Sequence, residues 1–168
     1  LGSRIEGAPG AVSARGSFNT ETGAMDLRGS ARVARVSDVA PLTGSAQGPF
    51  RVRADSARAP IRISADIEGR GIASNEATLN ELMGPSPRVS LVGAFSNGRF
   101  AIESGSVQMA GLRASMTGRI ADSGAVSGRA TGVLSRAIDV GGAVIEAAAF
   151  TADVAGTISR PVVDLRLS

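Results

Sequence analysis

Pro87-Arg-Val-Ser-Leu-Val-Gly-Ala-Phe95, Ser96-Asn-Gly98, Arg99-Phe-Ala-Ile-Glu103, Ser104-Gly-Ser106, Val107-Gln-Met-Ala-Gly111, Leu112-Arg-Ala-Ser-Met-Thr-Gly-Arg-Ile120 is the run that decides the fold. In its first segment Val89, Leu91 and Phe95 share one parity and Arg88, Ser90 and Ala94 the other; Val92 breaks the pattern and Gly93 leaves a gap on the apolar side. Phe100 and Ile102 then oppose Arg99 and Glu103, and Leu112, Ala114, Met116 and Ile120 oppose Arg113, Ser115, Thr117 and Arg119. Side chains alternate between the two faces of a strand, so this pattern predicts a sheet with one apolar and one wet face. Ser96-Asn97-Gly98 and Ser104-Gly105-Ser106 supply the positive-φ residues of tight hairpins, which makes the run a β-meander.

The same alternation extends in both directions. Val12, Ala14, Gly16 and Phe18 precede a turn at Thr20–Gly23; Met25 to Val33 alternates next; Phe50, Val52 and Ala54 follow a looser connection from Ser37 to Gly48, and Ile61, Ile63, Ala65 and Ile67 come after them. Beyond Ile120, Ala121–Gly124 reads as a turn and Ala125–Val133 as a strand. Leu134–Gly142 stays ambiguous, with Leu134, Ala137 and Ile138 suited to one helical turn, and a strand begins at Val144. Phe150 to Ile158 alternates, Arg160-Pro161 interrupts, and Val163, Leu165 and Leu167 close the chain. One segment differs: Leu79, Leu82 and Met83 fall at helical spacing between Asn75, a residue able to cap, and Gly84-Pro85. The predicted organisation is a single β-rich segment, 1–168, in which a short helix at 75–84 stands between β stretches 1–74 and 85–168. The expected fold class is all-β, an elongated, curled, meandering antiparallel sheet with repeat-like strands that forms a groove.

Composition narrows the chemistry. The chain has no His and no Cys, which removes Ser-His and Cys-His nucleophiles, thiolate and imidazole metal sites, and disulfides. No enzyme activity, catalytic residue, metal site or cofactor is therefore expected. Aromatic residues are only 3% of the chain, so an interior must be built from aliphatic side chains and five Phe. The basic residues are all Arg, and they alternate singly with Asp and Glu along the outward positions, which reads as a solvated face and not as a nucleic-acid interface. Asp66 with Glu68, and Asp153 with Asp164, lie on that wet face as soluble carboxylates, unlike a glycosidase pair. No window approaches the roughly 20 apolar residues of a membrane span. Because it opens on Leu1, the chain is expected to be a section of a longer one.

A family resemblance enters through particular residues. The run Gly156-Thr-Ile-Ser-Arg-Pro-Val-Val-Asp-Leu-Arg166 resembles a Gly-Thr, spacer, Pro, alternating-strand joint that recurs in bacterial TamB proteins, the inner-membrane component of the translocation and assembly module and relatives of the AsmA family. Pro85-Ser-Pro-Arg-Val89 to Gly111-Leu-Arg-Ala-Ser-Met-Thr-Gly118, with the short helix before it, is similar to repeats of the TamB C-terminal region and those adjoining it. The resemblance implies a taco-like β-trough in the periplasm, tied to the inner membrane by an N-terminal anchor that this sequence lacks. It further implies an outer-membrane Omp85-type barrel partner, phospholipid as cargo, and a part in outer-membrane protein assembly. Two readings of the apolar stripe remain open: a lipid groove, or the closed core of an envelope or extracellular β-sandwich or β-solenoid serving as an interaction or spacer module. On the groove reading, the lining is Val89, Leu91, Phe95, Phe100, Ile102, Leu112, Met116 and Ile120, continued by Phe150, Val154 and Ile158.

Overall fold

Pairing between successive strands organises the whole chain. The computed structural model describes residues 2–7, 10–38, 42–140 and 143–168. Its strands are β1 (Gly2–Gly7), β2 (Gly10–Phe18), β3 (Met25–Val33), β4 (Thr43–Ala54), β5 (Ile61–Ala73), β6 (Arg88–Ser96), β7 (Arg99–Gln108), β8 (Leu112–Ile120) and β9 (Val126–Leu134), then β10 (Ile138–Val140), β11 (Ala143–Ile145), β12 (Ala149–Thr157) and β13 (Arg160–Leu167). Eleven of them form one antiparallel sheet in the order β1 to β9, then β12 and β13, while β10 and β11 make a separate small hairpin. The first and last strands of the sheet do not pair with each other, so it is open. The all-β meander expected from alternation is the observed fold.

The helix, α1 (Ala77–Met83), does not divide the sheet, because β5 and β6 on either side of it pair over a continuous register from Ile61↔Phe95 to Glu68↔Arg88. Glu76, not Asn75, sits at its N-cap and makes no side-chain capping bond. The loop before it is held instead by Asn80, whose Oδ1 accepts from the Ser74 N–H at 2.6 Å and whose Nδ2 donates to the Ser74 carbonyl at 2.9 Å. At the other end Gly84, at φ 65°, donates its N–H to the Asn80 carbonyl, as the sequence led one to expect of a helix stop.

Four further expectations are corrected. Ser104-Gly105-Ser106 is not a turn: β7 runs through it, with one extra residue relative to both neighbours between Ile102 and Gly105. This bulge reverses the parity, so Phe100 and Ile102 before it and Gly105 and Val107 after it share one face, and the chain reverses later, at Met109–Gly111. The expected loose connection from Ser37 to Gly48 is strand from Thr43 onward. Ile138 lies in a strand, not a helical turn, and Arg160-Pro161 belongs to β13, where proline is tolerated because β13 is an edge strand.

Among the described residues the cluster of buried side chains lies at one end of the sheet, while Ala54 and Ala152 are buried singly elsewhere. In that cluster Val36, Ile72 and Met83 are buried against Val33, Leu42, Ala46, Leu79 and Met109, with α1 and the 3-10 turn Val36–Asp38 lying over the strand ends. No described side chain anywhere is completely buried. One layer of strands therefore carries most of the apolar residues without a second layer above it.

Candidate functional site: an uncovered apolar sheet face

Register turns the alternation into rows that cross the strands. One row is Leu91, Gly105, Met116, Ala130, Ala152 and Leu165; the next is Ile63, Gly93, Ile102, Gly118, Gly128, Val154 and Val163. Phe95, Phe100, Ile120 and Val126 form a third, and Val89, Val107, Ala114, Gly132 and Phe150 a fourth. Val89, Leu91, Phe95, Phe100, Ile102, Leu112, Met116, Ile120, Phe150 and Val154 thus stand on one face, as expected. Ile158 does not: it lies in the turn between β12 and β13 and is 64% exposed.

The face is longer than the expected lining. It takes in Val107, which the misread turn had hidden, and continues through Ile63, Val52, Phe50 and Leu27 on β5, β4 and β3. With strands about 4.8 Å apart and about 3.3 Å per residue, the sheet measures on the order of 50 Å across its strands and 30 Å along them. At the end away from α1 Phe95 is 43% exposed, and beside α1 Val89 is still 41% exposed; most of the other side chains of the face are half-buried.

A layer this thin is stabilised sideways. A Cβ built on Gly29 would meet the Phe50 ring at 2.7 Å, one on Gly93 the Phe100 ring at 2.6 Å, and one on Gly132 the Phe150 ring at 2.7 Å. Each phenyl group lies across a glycine of the neighbouring strand, so apolar contact is made within the layer, between strands, and not between layers. This is how the sheet holds together with few aromatic residues and no fully buried side chain. Small residues stand beside large ones in the first two rows, whereas Phe95, Phe100, Ile120 and Val126 make the third row large throughout.

The opposite face is mostly polar, with Val92, Val133 and Val162 exposed among its hydroxyl and charged groups. Cross-strand hydroxyl pairs join Ser13 to Ser30 at 3.0 Å and Ser115 to Thr131 at 3.2 Å. Asp153 stands directly across from Asp164, but Arg129 binds Asp153 through two bonds of 2.7 and 3.2 Å, and Arg166 binds Asp164 at 2.9 Å. The Arg129 guanidinium holds the Asp153 carboxyl below the ordinary carboxylate range, and hydrogen bonding from Arg51 does the same for Asp26. These acids are ion-paired, and among the described residues no group of acidic side chains is arranged to hold a metal. A depression of about 780 Å³ opens on this face beside Arg32, Gln47, Glu68 and Arg88. A twisted sheet is saddle-shaped, so each face is hollow along one diagonal.

Together these features define a class: a single-layer, open antiparallel meander with one uncovered apolar face and one ion-paired polar face. No family model, curated protein or solved structure matches the chain. Among the described residues no helix is long and apolar enough to cross a membrane.

Proposed function

We propose that this chain is a non-enzymatic segment of a TamB-like envelope protein, whose apolar face shields the acyl chains of phospholipid passing between the inner and outer membranes. Support for outer-membrane protein assembly, an Omp85-type barrel partner, and a periplasmic position tied to the inner membrane belong to the same reading. The observation that carries it is the long apolar face with no second layer over most of its described length. An acyl chain in water costs about 0.8 kcal/mol for each exposed CH₂. A continuous aliphatic surface with no charged side chain on its rows removes much of that cost, and the redundancy of the lining suits a cargo that slides. The sandwich alternative needs a partner layer, which α1 and the Val36–Asp38 turn supply at one end only.

The test is native mass spectrometry of the purified chain after delipidation and incubation with phosphatidylethanolamine. Adducts at whole-lipid mass increments are the expected result. A chain that stays lipid-free while remaining folded and monomeric contradicts the reading.

A further inference from the structure

The meander brings together arginines that stand apart in the sequence. On the polar face Arg15 of β2 lies opposite Arg28 of β3, which lies opposite Arg51 of β4; one row along, Arg53 of β4 lies opposite Arg62 of β5. Like charges directly across an antiparallel pair are destabilising, and here three such pairs follow one another. Few acids relieve them. Asp26 accepts from Arg51 Nε at 2.9 Å and reaches Arg28 only at 3.8 Å, and Arg53 is engaged by Asp55 at 2.9 Å. Arg15 and Arg62 have no ion-pair or hydrogen-bond partner among the described residues. On β9, β12 and β13, by contrast, the Asp153–Asp164 contact is flanked by arginines that neutralise it.

The five arginines, counted with Asp26, Asp55 and Asp66, carry a net charge of +2, out of +3 for the whole chain. Packing does not require them there: Arg15, Arg28, Arg53 and Arg62 are exposed and Arg51 is half-exposed. A depression of about 290 Å³ is lined by Arg28, Arg51 and Ser64 together with Asp66. Strand spacing and rise spread the array over about 14 Å across four strands and about 7 Å along them. The nearby rings of Phe18 and Phe50 belong to the opposite face, so the array offers no stacking platform for nucleobases.

We infer that the polar face of β2–β5, through Arg15, Arg28, Arg51, Arg53 and Arg62, docks on the phosphate headgroup layer of an anionic membrane. A broad, exposed, multiply charged array matches a surface of phosphate groups better than a single enclosed ion, and guanidinium groups bind phosphate oxygens in pairs. The cross-strand repulsion is then relieved by the bound anions. Because this face is turned away from the apolar rows, the docking stands whether or not the apolar face takes acyl chains.

The experiment is co-sedimentation of the full chain with vesicles of phosphatidylcholine alone and of phosphatidylcholine mixed with phosphatidylglycerol, at low and raised salt. Binding only to the mixed vesicles, weakening with salt, is expected. Arg15→Gln/Arg28→Gln/Arg62→Gln should bind at least about tenfold more weakly, whereas Arg99→Gln/Arg113→Gln/Arg119→Gln, which removes the same charge elsewhere on the polar face, should keep its affinity to within about twofold. The first variant should also melt no lower than the parent, since it removes repulsion. Arg15→Gln/Arg62→Gln, which breaks no ion pair, gives the same reading should the triple variant misfold. Equal losses in the two triple variants, parental affinity in the first, or parental binding to phosphatidylcholine alone would overturn the proposal.

Discussion

Leu91→Arg/Ile102→Arg is expected to leave the protein folded and to abolish lipid uptake. On β6 and β7 these residues occupy adjacent rows of the apolar face, and both are only partly buried. A long guanidinium side chain introduced on an uncovered surface lays its methylenes along the sheet and keeps its charge in water, so the loss of stability should stay near 1 kcal/mol. An acyl chain crossing the same spot would meet two desolvated charges, and its affinity should fall by about a hundredfold or more. Lipid adducts in native mass spectra read the second effect, and urea denaturation reads the first. A closed core reverses the balance: two buried, unpaired arginines would cost several kcal/mol and the variant would unfold.

Glycine substitutions should produce the largest stability effects in the chain. A Cβ at Gly29 is opposed by the Ser13 carbonyl oxygen and by the Phe50 ring at 2.7 and 2.9 Å, so backbone and aromatic ring would both have to shift. Gly29→Ala is expected to cost about 3 kcal/mol. At Gly105 the nearest obstacles are Cγ and Sδ of Met116, at 2.6 and 3.3 Å, a flexible side chain that can turn aside. Gly105→Ala should therefore cost less than about 1 kcal/mol. Urea midpoints of the two variants measure the contrast. Equal costs at the two positions would mean that the phenyl groups do not pack across glycines in the way described.

Those glycines also mark how far the sequence could be read. Alternation in Val89 to Phe95, Leu112 to Ile120 and Phe150 to Val154 identified the strands and their apolar face, because parity is a local property. The bulge in β7 had no such signal. Ser104-Gly105-Ser106 looks like a turn because a bulge and a hairpin use similar residues, and the pairing of Gly105 with both Met116 and Leu91 tells them apart. Missing it moved Val107 off the face. Ile158 failed for the converse reason: its parity continues that of Val154, but the chain turns one residue earlier. The arginine array lay further out of reach. Arg15, Arg28 and Arg51 alternate singly with polar residues along the chain, as a solvated face would, and only the register of β2, β3 and β4 sets them side by side.

Paramagnetic broadening by a phosphatidylethanolamine carrying a spin label midway along its acyl chain would locate the lipid directly. With methyl groups of the delipidated protein observed by NMR, a lipid lying on the open face broadens the methyls of Val89, Leu91, Ile102 and Met116, while those of Thr117 and Thr131 on the polar face stay sharp. Broadening confined to Thr117, Thr131 and other polar-face methyls, or no broadening at saturating lipid, would contradict an acyl-binding apolar face.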